Sequence, residues 1–330
     1  MDLFLLVASF MVILAGALLF TNAVEWIGHR LELGEGAVGS LLAAVGTAMP
    51  ETLIAIVALV GATKSEDVAV GAIVGAPFLL ATLAMGLVGG VAYMYRNRRR
   101  QGIELRAHVP TLDRDLMFFL AFFALALALG FGAPAEIRIP AGILFFIAYP
   151  VYVWRTLVRG GEIQAEETLN PLIMDRGPAR DSDPSSVMAV IQFLVGLGAM
   201  VGGAHLFVEE ILHVAEDIGV EAIVLSLILA PLATELPEKV NSFFWVREGK
   251  DALALGNITG AMVFQSVIPV GIGLIFTDWD LSGNAALSVA LGLTGGVIAY
   301  WVLRLRDRFE LPAVLAWLAL YSAFIVVVSV

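Results

Sequence analysis

The sequence predicts an all-α integral membrane protein whose ten transmembrane helices form two inverted five-helix repeats. Three observations support this prediction. The chain of 330 residues is 59% hydrophobic and only 15% charged, whereas soluble domains carry about a quarter charged residues. It contains ten apolar stretches that are long enough to cross a bilayer, which takes roughly 20 residues. Two similar motifs, Thr47 to Glu51 and Thr234 to Glu238, lie one in each half of the chain.

The ten predicted spans are numbered here in chain order. Eight contain no Asp, Glu, Lys or Arg, whereas span 2 contains Glu51 and span 7 contains Glu235, Glu238 and Lys239. The spans are Leu3–Val24, Gly36–Thr63, Val68–Tyr95, Leu116–Ala135, Ile139–Trp154, Val187–Val208, Ala222–Val246, Ala252–Thr277, Leu281–Leu303 and Leu311–Val330.

The distribution of basic residues predicts the orientation, because short cytoplasmic loops are enriched in Lys and Arg. The loop 96–114 is rich in arginine, whereas the basic residues in the loops predicted on the opposite side are only Lys64 and Arg138. We therefore expect a multi-pass protein of the cell membrane with both termini outside. The loop 96–114 and the linker 159–186 are expected in the cytoplasm.

The two halves of the chain resemble each other. The longest hydrophilic stretch is 159–186, and this linker separates a first five-span repeat, 1–158, from a second, 187–330. The pair Gly16 and Gly203 has the same separation as Pro50 and Pro237. Because each half has an odd number of spans, the second must enter the membrane from the opposite side. Secondary transporters commonly have this inverted plan, with a binding site at the bilayer midplane.

The motifs in spans 2 and 7 predict a cation site. Pro50 and Pro237 cannot donate a backbone hydrogen bond, so we expect both spans to be broken there with carbonyl groups left free. A carboxylate follows each proline, at a depth where ionisation costs at least ~2.5–3.5 kcal/mol. A threonine four residues before each glutamate shares its helix face. Such an all-oxygen site suits calcium. The predicted ligands are Thr47, Glu51, Thr234 and Glu238.

These motifs resemble the signatures of the calcium/cation antiporter superfamily, which includes the sodium/calcium exchangers. That family shows Gly-Thr-Ser-Leu-Pro-Glu and Gly-Asn-x-x-Gly-Ser-Asn, and the likeness extends over essentially the whole chain. The resemblance implies a secondary antiporter that exchanges Ca²⁺ for Na⁺ or H⁺ by alternating access. It also implies that the motif threonines and glutamates coordinate calcium.

The chain departs from the family pattern where the family holds sodium. The serine after the motif threonine is Ala48 in the first repeat and Glu235 in the second. The polar residue further along span 3 is replaced by Leu80, while its counterpart in span 8 is Gln265. The calcium ligands are thus present, Gln265 is a further candidate ligand, and the counter-ion is left open between Na⁺ and H⁺.

Glu235 and Lys239 are four residues apart on span 7, a spacing that favours an ion pair on a helix. In the first interpretation Lys239 only neutralises the extra acid. In the second its ammonium group occupies space that sodium uses in relatives, or Glu235 exchanges protons. Both interpretations remain open at this point.

Several classes of function are disfavoured. There is no cysteine, so thiolate metal sites and cysteine nucleophiles are excluded, and the uncharged spans contain no paired aspartates for an intramembrane protease. We expect neither enzymatic activity nor a cofactor. The net charge of −11 argues against a nucleic-acid partner. The expected partners are inorganic cations and membrane lipid, with no oligomer required. The alternatives are an H⁺-coupled exchanger for Mg²⁺ or Mn²⁺, and a cation channel.

Overall fold

The computed structural model describes residues 2–30, 48–105, 109–159, 171–175 and 185–328. Within these ranges the elements are helices, apart from an isolated antiparallel bridge between Glu104 and Arg308. The helices of the first half are Asp2–Arg30, Met49–Val60, Glu66–Leu79 with Leu80–Ala84 and Met85–Met94, Val109–Leu129 and Ala135–Arg159. Those of the second half are Ser186–Ile218, Ala222–Glu248, Asp251–Gln265 with Ile268–Phe276, Gly283–Trp301 with Val302–Arg306, and Leu311–Val328.

Each predicted span corresponds to a helix in the described residues. Seven of these helices, in spans 1, 3, 5, 6, 8, 9 and 10, are long and apolar enough to cross a bilayer. Spans 2, 4 and 7 are also helical, but they carry charged side chains within or at the start of the apolar stretch. The chain is therefore a multi-pass membrane protein.

Contacts between loops agree with the predicted alternation of successive helices. At one end of the bundle, Leu105 N donates to Asp307 O at 2.9 Å, so the loop after span 3 meets the loop after span 9. At the other end, Leu281 N donates to Gly130 O at 3.0 Å, which joins the loops after spans 8 and 4. Loops that follow odd-numbered spans meet at the first end, and loops that follow even-numbered spans meet at the second. This is the arrangement expected when successive helices run in opposite directions.

Spans 1 and 6 are repeat-equivalent helices and pack directly against each other. A Cβ atom placed on Gly16 would lie 2.8 Å from the carbonyl oxygen of Gly196, and one on Gly203 would lie 2.8 Å from Ile13 Cγ1. Real side chains do not approach so closely, so the glycines allow this contact. The sequence-matched Gly16 and Gly203 thus lie in a single interface between the two halves.

Span 3 occupies the centre of the molecule. In its most apolar stretch 94% of the residues are buried within the protein, against 17% for span 5. Its glycines contact span 7: a Cβ on Gly71 would lie 2.7 Å from Ile223 O, and one on Gly75 would lie 2.5 Å from Leu227 O. Gly256 and Gly260 of span 8 have no such neighbour among the described residues. The start of predicted span 2, up to residue 47, lies outside the described residues.

The breaks expected at Pro50 and Pro237 have different outcomes, because residues 31–47 before Pro50 lie outside the described part of the chain, whereas both sides of Pro237 are described. The described helix of span 2 begins at Met49 with Pro50 in its first turn, where proline loses no hydrogen bond. Span 7 is one continuous helix, so the expected break at Pro237 is wrong. A transmembrane helix tolerates proline when its neighbours re-satisfy the freed carbonyl group. Interruptions that the motifs did not predict lie in span 3, which is π-helical over Leu80–Ala84, and in span 8, between Gln265 and Ile268.

A buried ion pair joins the two halves at the end that holds the loop after span 3. Arg99 Nη2 lies 2.6 Å from Asp251 Oδ1 and 2.7 Å from Asp251 Oδ2, and both side chains are fully buried. The amide of Gln101 donates to Asp251 Oδ2 at 3.1 Å and to Gly249 O at 2.9 Å. The turn between spans 7 and 8 is thereby held against the loop of the first half.

Removal of Arg99 is expected to destabilise the protein, because Asp251 would then be buried without its cation. We expect Arg99→Ala to cost about 3–5 kcal/mol of unfolding free energy, measured as a lower thermal unfolding midpoint in detergent. The control is Arg304→Ala, which removes the more exposed pair with Asp113 at 3.1 Å and should cost about 0–1 kcal/mol. Equal losses in the two variants would contradict the structural role given to Arg99.

Candidate cation site

Glu51, Glu235 and Gln265 meet in the protein interior at the interrupted part of span 8. Gln265 Nε2 donates to Glu51 Oε1 at 2.6 Å and also to Glu235 Oε1. The three residues are 2%, 1% and 0% exposed. Glu51 belongs to the first half and Glu235 to the second. A single amide nitrogen therefore connects carboxylates from both repeats.

Glu51 owes its position to the start of the helix Met49–Val60. It lies in the first turn, directly after Pro50. Carboxylates are favoured in this turn because the helix macrodipole places partial positive charge there. The next residue, Thr52, donates its hydroxyl to Ala48 O at 2.7 Å and so satisfies its own side chain within the helix. Glu51 is directed to the centre of the protein by the same turn.

Gln265 offers the site an oxygen as well as a nitrogen. Its Oε1 is buried and receives no hydrogen bond from the described residues. Gln265 is the last residue of the first helix in span 8. Four residues later, Pro269 has no N–H to donate to the Gln265 backbone carbonyl. The side-chain oxygen of Gln265 therefore has no donor among the described residues, although the same amide contacts both carboxylates.

Lys239 forms the ion pair with Glu235 that their spacing favours. Its Nζ lies 3.3 Å from Glu235 Oε2, and the side chains are 0% and 1% exposed. Because Gln265 contacts the other oxygen of the same carboxylate, Lys239 belongs to the same side-chain cluster as Glu51. The cluster therefore contains a cation of the protein itself.

The structure brings together only part of the site predicted from the sequence. Thr234 is buried and donates to Ala230 O in its own helix at 3.1 Å, which leaves its oxygen lone pairs available. Thr47 lies outside the described residues, and so does the side chain of Glu238, although its backbone is helical. Among the described side chains, no three acidic or histidine residues form a metal-binding group.

Three further hydrogen bonds near span 8 were not predicted from the sequence. Thr259 Oγ1 donates to Asp115 Oδ2 at 2.9 Å, and the Tyr152 hydroxyl donates to Asp115 Oδ1. Asn257 Nδ2 donates to Ser242 Oγ at 3.0 Å. The polar residues of the Gly-Asn-Ile-Thr-Gly segment thus connect span 8 to spans 4 and 7. Asp115 gave no signal because it precedes the apolar stretch of span 4 and resembles an ordinary interfacial acid.

The family model described as "Sodium/calcium exchanger protein" matches residues 1–158 and 188–330 of this chain. The chain belongs to the sodium/calcium exchanger family. The resemblance stated from the two glutamate motifs is thereby confirmed. The family is one of cation antiporters rather than enzymes.

Named relatives in this family are distant but cover most of the chain. The putative antiporter CaxA of Alkalimonas amylolytica is 22% identical over 308 residues, which covers 92% of this chain and 91% of that protein. The sodium/calcium exchanger MaX1 of Methanosarcina acetivorans is 23% identical and covers 82% of each chain.

Solved structures of exchangers show the same fold. The H⁺/Ca²⁺ exchanger CAX has a TM-score of 0.73 at 18% identity, covering 98% of this chain and 81% of that one. The sodium-calcium exchanger NCX_Mj has a TM-score of 0.61 at 18% identity, covering 98% of this chain and 97% of that one. These matches confirm the predicted fold of ten transmembrane helices in two inverted five-helix repeats.

Replacement of Gln265 tests its role between the two carboxylates. Gln265→Met keeps the length of the side chain but removes the donor shared by Glu51 and Glu235, so we expect a loss of about 1–3 kcal/mol in unfolding free energy. The readout is the thermal unfolding midpoint in detergent without added calcium. Leu80→Met is the matched control, because it introduces the same side chain at the repeat-equivalent position without removing a hydrogen bond. Equal stability of the two variants would argue against the bridging role.

Proposed function

We propose that this member of the exchanger family carries Ca²⁺ across the membrane in exchange for Na⁺ or H⁺ by alternating access. The observation that supports this most directly is the buried contact of Glu51 and Glu235, from opposite halves, with one Gln265 amide. A site shared by both repeats changes its exposure when the repeats move relative to each other. In this proposal the moving units are the repeats 1–158 and 187–330, joined by the linker 159–186.

The proposed calcium ligands are oxygens from both halves. Glu51 and Glu238 supply two formal negative charges, which balance one divalent ion, and neutral oxygens complete the six to eight that calcium takes. Thr47, Thr234 and the Oε1 of Gln265 are the proposed neutral ligands. Glu235 and Lys239 complete the site as an ion pair that adds no net charge. Because one chain contains all of these residues, the proposed site needs no oligomer.

The side-chain oxygens present in the chain bear on whether the counter-ion is Na⁺ or H⁺. Sodium brings one charge and needs several neutral donors, but Ala48, Leu80, Ala76 and Ala261 offer no side-chain oxygen. Protons need only a carboxylate. Flux into proteoliposomes with an imposed proton or sodium gradient separates the two. With the pH clamped on both sides, acceleration of calcium flux by an opposing sodium gradient would identify sodium, and calcium flux driven by the pH gradient alone would identify protons.

Substitution of Glu51 tests the site itself. Glu51→Gln removes one of the two charges that balance calcium, so calcium uptake into proteoliposomes should fall to the level of protein-free vesicles while the fold is kept. Glu136→Gln makes the same chemical change at an exposed position and should leave uptake unchanged. Uptake by Glu51→Gln at the level of the unmodified protein would contradict the assignment. Competition by Mn²⁺ or Mg²⁺ in the same assay would measure the selectivity.

The proposed orientation places the loop 96–114 in the cytoplasm. Because the chain has no cysteine, single cysteines can be introduced without removing others, and Lys64 and Arg100 are exposed. A membrane-impermeant maleimide should label Lys64→Cys on intact cells, whereas Arg100→Cys should react only after permeabilisation. The reverse pattern would invert the proposed topology.

A further inference from the structure

Lys239 is a fully buried cation at the centre of the protein. Its ammonium group lies 3.3 Å from Glu235 Oε2, and its side chain is 0% exposed. A lysine at such depth in a membrane protein is costly and rare unless it is paired or functional. Here its partner is Glu235, which lies one helical turn earlier on the same helix. That helix also carries the proposed ligands Thr234 and Glu238.

The carboxylate that holds Lys239 is also part of the proposed transport site. Glu235 accepts a hydrogen bond from Gln265, and the same Gln265 nitrogen donates to Glu51 at 2.6 Å. The ammonium group is thus separated from the calcium ligand Glu51 only by Glu235 and one amide. In charge, it is equivalent to a bound monovalent ion beside the divalent site.

We propose that Lys239 is a permanently attached monovalent cation of the transport site, which neutralises Glu235 and excludes sodium. This inference rests on the proposed function and narrows it. Glu51, Glu235 and Glu238 give three formal negative charges, and Lys239 leaves two of them to be balanced by the transported ion. A sodium ion bound at Glu235 would add a second positive charge beside the ammonium group of Lys239. It would also have to occupy the space that this ammonium group fills.

Ion-dependent stability of the purified full-length chain tests this assignment. A ligand that binds the folded state raises its thermal unfolding midpoint. The protein is placed in lipid nanodiscs at constant total salt, and choline chloride is replaced stepwise by sodium chloride. The unmodified protein should show no sodium-dependent shift, and sodium should not displace radioactive calcium from it.

The key variant is Lys239→Ala, which leaves Glu235 without its cation and opens space beside it. We expect sodium, but not choline, to raise the unfolding midpoint of this variant by several degrees. Two matched variants should show no such response: Lys239→Arg keeps the charge, and Glu235→Gln with Lys239→Ala removes both charges. A lysine that only holds the helices together would destabilise the protein when removed but would create no sodium response.

The outcomes separate this inference from the proposed function. Sodium stabilisation of the unmodified protein, or sodium displacement of its bound calcium, would overturn the role of Lys239, and these two measurements need no variant to fold. A folded Lys239→Ala without a sodium response would overturn it as well. Calcium that neither stabilises nor binds the unmodified protein would instead contradict the proposed calcium site.

Discussion

The constraint on which this structure depends is that a charge inside hydrocarbon must find its partner within the protein. Bulk water is absent from that region, and the low dielectric strengthens every interaction between charges. Glu235 satisfies this constraint through Lys239 on its own helix and through Gln265 on span 8, while Glu51 reaches the same Gln265 from span 2. The pairing therefore joins spans 2, 7 and 8, and with them the two halves.

The backbone around this cluster is irregular in a symmetric way. Leu80 begins the π-helical turn of span 3, and its repeat equivalent Gln265 ends the first helix of span 8. Irregular backbone at membrane depth is tolerated only where protein or water covers it. Span 3 is the most buried of the apolar helices, so its irregular turn is covered. The two repeats thus share a backbone interruption, although of the two matched residues only Gln265 has a polar side chain.

Much of the architecture could be predicted because it follows from the apolar length of the spans and from the count of crossings. The close packing at Gly16, Gly71 and Gly75 could also be predicted from the sequence, and so could the ion pair of Lys239, because both depend on the spacing of residues along a helix. The interruption of span 8 was not predicted, although Pro269 in the first turn of the helix Ile268–Phe276 was a sequence signal for it. In span 7 a proline does not interrupt the helix, because the helix Ala222–Glu248 continues through Pro237.

The side chains of the cluster are distributed unequally between the repeats, and this explains why charges at positions 235 and 239 must occur together. The first-half equivalents of Glu235 and Lys239 are Ala48 and Thr52. The hydroxyl group of Thr52 donates its hydrogen bond to Ala48 O within the same helical turn. Each charge on span 7 depends on the other, because loss of one partner of a buried ion pair costs about 3–5 kcal/mol. Together they leave the net charge of the proposed site unchanged while altering what lies beside the proposed calcium ligands. In the proposed assignment, a change of ion preference made in this way requires two coupled substitutions on a single helix.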